Sequence, residues 1–86
     1  MKTFTYKITD PDGLHARPAG LLVKQAAQYA SSIKIDKGGS KTADAKKIFS
    51  VMSLAVKQDE TITVTVEGTD EEKAADELKK YFEQNL

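Results

Sequence analysis

Thr61-Ile62-Thr63-Val64-Thr65-Val66-Glu67 alternates apolar and polar residues along its whole length. Ile62, Val64 and Val66 therefore share one face of an extended chain, and Thr61, Thr63 and Thr65 share the other. A period of two with only one apolar face predicts a strand in an antiparallel sheet whose second face is wet. Parallel strands are covered on both sides and read instead as continuous apolar runs. The same pattern recurs upstream. Phe4, Tyr6 and Ile8 alternate with polar residues until Asp10-Pro11-Asp12-Gly13 breaks the run with four turn formers. Ile33 and Ile35 alternate next. Gly38-Gly39 then supplies a hairpin turn into a short return strand over residues 40–43.

Between these strands the period changes. Ala19, Leu22, Val23, Ala26 and Ala30 fall on one face of a helix. Pro18 stands near its start, where a missing N–H costs little. Residues 46–56 predict a short second helix. Ile48, Val51, Met52 and Ala55 offer it a core face, with Phe49 and Val56 about 90° to one side, so that Phe49 could be core or surface. Thr69 to Glu72 has the form of a capping box, and Ala75, Leu78 and Phe82 mark a last helix. Its start is acidic, and Lys79 and Lys80 come later, as the helix dipole favours. The order is strand, helix, strand, strand, helix, strand, helix. One-sided strands need the helices on their apolar face, which makes a two-layer α+β domain.

The totals narrow the function. The chain's 86 residues make one domain, residues 1–86. With no cysteine, thiolate metal sites and thiol nucleophiles are excluded. Lys plus Arg and Asp plus Glu are 13 each, so net charge gives no argument for nucleic acid. The outward positions of the sheet would be mostly Thr and Lys rather than base-stacking aromatics. The start, MKTFTYKITD, lacks the apolar run of a signal peptide. No apolar run approaches the roughly 20 residues that cross a bilayer, so direct membrane insertion is not expected. A cytoplasmic protein is the expectation.

His15 is the only histidine, just before the first helix. Alone it builds no metal site, and no nucleophile-elbow signature accompanies it. Its position alone fits a plain surface residue beside a helix. Its neighbours say more. Ala16, Arg17 and Pro18 form the helix start, where free N–H groups and a partial positive charge make an anion site. Arg17 adds a fixed charge and a fork of donors suited to phosphate. This positive field disfavours imidazolium and leaves a neutral, nucleophilic ring at about pH 7. A phosphoryl group on the ring would restore protonation and make the ring a better leaving group.

Gly13-Leu14-His15-Ala16-Arg17-Pro18-Ala19 resembles the active-site motif of HPr, the phosphocarrier of the phosphoenolpyruvate-dependent sugar phosphotransferase system. The resemblance extends over essentially the whole chain. It takes in the element order, the Gly38-Gly39 hairpin, the run from Ala45 to Leu54 and the Gly68-Thr69-Asp70-Glu71-Glu72 helix start. It implies an open-faced sandwich, a four-stranded antiparallel sheet covered on one face by three helices (βαββαβα). It implies a carrier rather than an enzyme, with no cofactor. His15 would be phosphorylated on Nδ1 by enzyme I, with Arg17 balancing the phosphoryl charge. The group would pass to A-type domains of sugar-specific permeases. Ile48, Phe49 and Met52 would form an exposed apolar docking patch beside the histidine, and a monomer is expected.

One position departs from the family pattern. In many Gram-positive members a serine, the target of a dedicated kinase, stands where this chain has Lys47. Lysine has no hydroxyl to phosphorylate. Its charge would instead add to the docking surface by attracting acidic partners. The competing reading is a non-catalytic regulatory binding protein on the HPr fold. Retention of His15 together with loss of the serine favours the carrier.

Overall fold

A computed structural model of the chain describes residues 1–11, 13, 16–37 and 41–86. The elements are β1 (Lys2–Lys7), α1 (Ala16–Ala26), β2 (Ser32–Lys37), β3 (Lys41–Asp44), α2 (Ile48–Ser53), β4 (Thr61–Glu67) and α3 (Glu71–Asn85). This is the expected βαββαβα order. The sheet is antiparallel throughout, in the order β1-β4-β2-β3.

The alternation of β4 sets the layer. Its register aligns Val64 with Phe4 on one side and Ile35 on the other. Ile62, Val64 and Val66 are fully buried, while Thr63 and Thr65 are partly exposed on the opposite face. Each buried branched side chain contributes about 1.5–3 kcal/mol. The helices lie over this inner face. Ala74, Leu78 and Phe82 of α3 point into it at helical spacing. The Phe82 ring meets Phe4 and Tyr6 edge-on, with centroids 5.8 and 5.6 Å apart. Ala74 thus takes the inner place expected of Ala75, which is half-buried.

Several boundaries differ from those the sequence predicts. The first helix ends at Ala26, short of Ala30. Tight i to i+3 bonds, Gln28 N–H to Gln25 O and Tyr29 N–H to Ala26 O, turn the chain there. Tyr29 enters the core, and Ala30 is exposed. The second helix is only Ile48–Ser53. Ala55 adopts φ 52° and is exposed, and that reversal turns Val56 into the core instead. The last helix starts after Asp70, one residue later than a Thr69–Glu72 box needs. Glu71 Oε1, not Glu72, reaches back, and it accepts the Gly68 N–H at 3.2 Å. The return strand is Lys41–Asp44, ending one residue later than expected, and Ser40 lies outside the described residues. The Gly38-Gly39 turn lies outside the described residues.

Candidate functional site

His15 lies outside the described residues, as do Asp12 and Leu14, but their surroundings are defined. The first helix begins at Ala16, so Ala16, Arg17 and Pro18 make its opening turn. The first N–H groups of a helix have no partner within it and carry the positive end of its dipole. No acidic residue stands in that turn to neutralise it. Arg17 is exposed and, among the described residues, forms no ion pair. Such a turn can hold a dianionic group at the surface.

The chain leading to His15 is pinned at several points. Thr9 and Asp10 donate their N–H groups to the Leu86 main-chain oxygen at 2.6 and 2.9 Å, and the Thr9 hydroxyl donates to it at 2.9 Å. Gln58 Nε2 donates to the Thr9 carbonyl at 3.2 Å. Gly13 closes the turn by donating to Asp10 O at 2.9 Å. Its φ of 65° favours glycine, and a Cβ there would stand 2.3 Å from Val56 O and 2.9 Å from Lys57 Cα. Gly13 therefore rests directly on the backbone that follows α2. Neither Leu86 nor this seat carries a local sequence signal, since both depend on residues far apart in the chain.

Beside this start lies an apolar surface. Phe49 is 82% exposed, Leu21 53% and Met52 36%. Ile48 is half-buried, because it plugs the helix contact. Its Cδ1 is 3.5 Å from where a Cβ on Gly20 would stand. Of the expected patch, Phe49 and Met52 are thus open, and Ile48 supports them from below. Val51, which helical spacing puts on the core face with Ile48, is fully buried. Leu21 is a member of this surface that periodicity did not single out. Its signal is an apolar residue off the core face, on the same stripe as Arg17 and Lys24, which are also exposed. Lys47 is the exposed N-cap residue of α2, with extended φ and ψ, and its N–H donates to Asp44 O at 3.0 Å. Arg17, Lys24 and Lys47 give the apolar surface a cationic rim.

No group of three or more metal-ligating side chains occurs among the described residues. The depression along β1 and α3, lined by Lys2, Phe4, Glu72, Asp76 and Lys79 among others, shares no residue with this site. Among the described residues, no helix is long and apolar enough to cross a membrane. The exposed side chains of Phe49, Leu21 and Met52 make an apolar surface of the kind that meets a macromolecule.

A family model described as "PTS HPr component phosphorylation site" matches residues 2–84. Phosphocarrier protein HPr of Buchnera aphidicola subsp. Baizongia pistaciae is 45% identical over 76 residues, 88% of each chain. The crystal structure of HPr-C-His from Thermoanaerobacter tengcongensis superposes with TM-score 0.91 and 41% identity, covering 96% of this chain and 92% of that one. A structure described as an HPr dimer from the same organism matches at TM-score 0.76 and 40% identity, covering 98% and 95%. A chain with this sheet order, this helix start and this match over nearly its full length belongs to the HPr family, the phosphocarrier component of the phosphotransferase system.

Proposed function

We propose that His15 accepts a phosphoryl group from phospho-enzyme I and that the chain delivers it to A-type domains of sugar-specific permeases. A P–N bond forms at the imidazole, on Nδ1 by the family pattern, as the bond from phosphorus to the donor breaks. The second transfer reverses these events with the permease domain as acceptor. The observation that carries this reading is the start of α1 at Ala16, directly after His15, with the exposed guanidinium of Arg17 in its first turn. Those donors favour the phosphoryl dianion, and Arg17 balances its charge during transfer.

Phe49, Met52 and Leu21 serve as the docking surface, with Ile48 beneath them. Lys47 and its cationic neighbours steer acidic partners toward it. Because Lys47 offers no hydroxyl, the serine-directed kinase has no acceptor at this position. The carrier works as a cytoplasmic monomer. Incubation with enzyme I and phosphoenolpyruvate, followed by intact-mass measurement, tests the assignment. One acid-labile, base-stable phosphoryl adduct is expected on the wild-type chain and none on His15→Ala. A labelled His15→Ala variant would overturn the site. An unlabelled wild-type chain that still binds its partners would favour the regulatory binding protein.

A further inference from the structure

We infer that Lys37 is a positioning residue for phosphoryl transfer, because its ammonium locks the backbone turn on which Gly13, two residues before His15, is seated. The inference rests on His15 as the phosphoryl acceptor.

The turn is unusual for its sequence. Ala55 sits at φ 52°, where an L-residue's Cβ is crowded and glycine is the ordinary occupant. Such a conformation persists only where the surroundings enforce it, and it concentrates near functional sites. The turn is tied by main-chain bonds, Ala55 N–H to Met52 O, Ile8 N–H to Glu60 O and Asp59 N–H to Ile8 O, and Lys37 is the side chain that clamps its first carbonyls. Its Nζ donates to Leu54 O and to Ala55 O, both at 3.1 Å. These carbonyls close the end of α2, where a cation also meets the negative end of the helix dipole. Nζ lies 3.3 Å from Glu60 Oε2, so all three of its protons have an acceptor. Glu60 in turn accepts the Lys57 N–H on Oε1 at 2.7 Å. That N–H, followed by the Lys37 ammonium, holds the Glu60 carboxyl below its usual pKa.

Lys37 thus grips the turn on the side entering it and, through Glu60, on the side leaving it. Val56 lies between the two grips and Lys57 is held in the second, and theirs is the backbone against which a Gly13 Cβ would collide. A surface lysine–carboxylate pair alone would contribute little. Here the side chain is 24% exposed, and two of its acceptors are main-chain carbonyls. Loss of the grip lets Ala55 relax toward ordinary φ values and shifts the seat of Gly13. The same backbone ties the docking helix to the acceptor segment.

The test compares wild type, Lys37→Met, Lys37→Arg and the double variant Lys37→Met/Ala55→Gly. Single-turnover transfer from phospho-enzyme I is measured against carrier concentration, alongside thermal unfolding. Ile33→Val, buried in β2, is the destabilised control and should transfer as wild type while folded. Lys37→Met should lower the limiting transfer rate by about ten- to a hundred-fold, the scale expected of a misplaced reacting group, at nearly unchanged half-saturation. Lys37→Arg should recover much of the rate. Ala55→Gly should also rescue it, because glycine holds the turn without the ammonium. A purely structural Lys37 would lower the melting temperature and leave the limiting rate of the folded protein alone. That result, or a change in half-saturation only, overturns the inference, as does failure of Ala55→Gly to rescue. If Lys37→Met does not fold, Lys37→Gln, which removes the charge but keeps a polar end, takes its place under the same rate criterion. If the wild-type chain takes no phosphoryl group on His15, the carrier reading fails first and the positioning role falls with it.

Discussion

Asp70 holds Ser31, which lies 39 positions earlier in the chain. One carboxylate oxygen of Asp70 accepts the Ser31 N–H at 2.9 Å and the Ser31 hydroxyl, and the other accepts the Ala30 N–H at 2.9 Å. Asp70 occupies the N-cap position of α3 but makes no side-chain bond to its own helix. It satisfies the turn between α1 and β2 instead. Gly68 packs against the same turn, at φ 155°, with room for no Cβ beside Ser31.

The first prediction is a pH effect of this contact. Asp70 has its pKa lowered from 3.8, first by the Ser31 hydroxyl and then by the Ala30 N–H. A carboxylate whose folded pKa is depressed stabilises the fold fully above its unfolded value and loses that contribution as pH falls through the folded value. Melting temperature measured from about pH 6 down to about pH 2 should fall less steeply for Asp70→Asn than for wild type. Asp70→Asn should also melt lower at neutral pH. Glu60 and Glu71 shift in the same direction, so only the difference between the two proteins reports Asp70. Parallel curves would assign the acid sensitivity elsewhere.

Gly13→Ala should damage the acceptor segment. The new methyl group would overlap Val56 O, and φ 65° is unfavourable for alanine. A stability loss above about 1 kcal/mol is expected, because both the conformation and the space are wrong. For a domain of this size that lowers the melting point by at least about 4 °C. Phosphoryl transfer from enzyme I should fall as well. Wild-type melting would mean that Gly13 does not rest on Val56.

Phe49→Ala separates docking from packing. At 82% exposed, the ring adds little to the core, so stability should change by no more than about 0.5 kcal/mol. A buried phenylalanine would cost about 3–5 kcal/mol. Affinity for enzyme I, measured by titration calorimetry, should drop about five- to tenfold or more, as for an aromatic at the centre of an interface. Leu21→Ala should weaken the same complex to a smaller extent.

Arg17→Ala should slow transfer in both directions. A charge-assisted hydrogen bond contributes about 1.5–3 kcal/mol, which is about one to two powers of ten in rate if expressed fully in the transition state. Rapid-quench kinetics would show the loss at saturating partner. Unchanged rates would remove Arg17 from the chemistry.

Lys47→Ser tests charge and acceptor together. The variant should associate with enzyme I more slowly at low salt and converge on wild type as salt rises. Phosphorylation by the serine-directed kinase should appear only in the variant. Modification of the unsubstituted chain at Ser50 or Ser53 would contradict the view of Lys47 as a loss of serine control.

Patterns carried by a few neighbouring residues are legible in the sequence itself. The alternation of Ile62, Val64 and Val66 defines a one-faced strand, and the spacing of Ala19, Leu22 and Ala26 defines the core stripe of α1. Both follow from the geometry of a local backbone, with periods of two and 3.6 residues. The antiparallel sheet and the helix beginning just after His15 follow from the same kind of signal. Element ends are less legible, because they are settled by partners that no local window contains. Ala30 leaves the helix because Asp70 takes its N–H, and Ala55 turns to positive φ where Lys37 clamps its carbonyl.

The strand order β1-β4-β2-β3, the exposure of Leu21, and the seat of Gly13 on Val56 belong to the tertiary structure alone, and the exposure of Phe49, implied by the family resemblance, is left open by periodicity. Phe49 shows why. Its place on the helical wheel leaves core and surface equally open, and the depth at which α2 docks decides between them. That depth is set where Ile48 meets Gly20 and where Val51 is buried, and Phe49 is left facing outward. Close packing is a property of surfaces brought together from distant parts of the chain, so a periodic sequence can mark a face without saying how far it is covered.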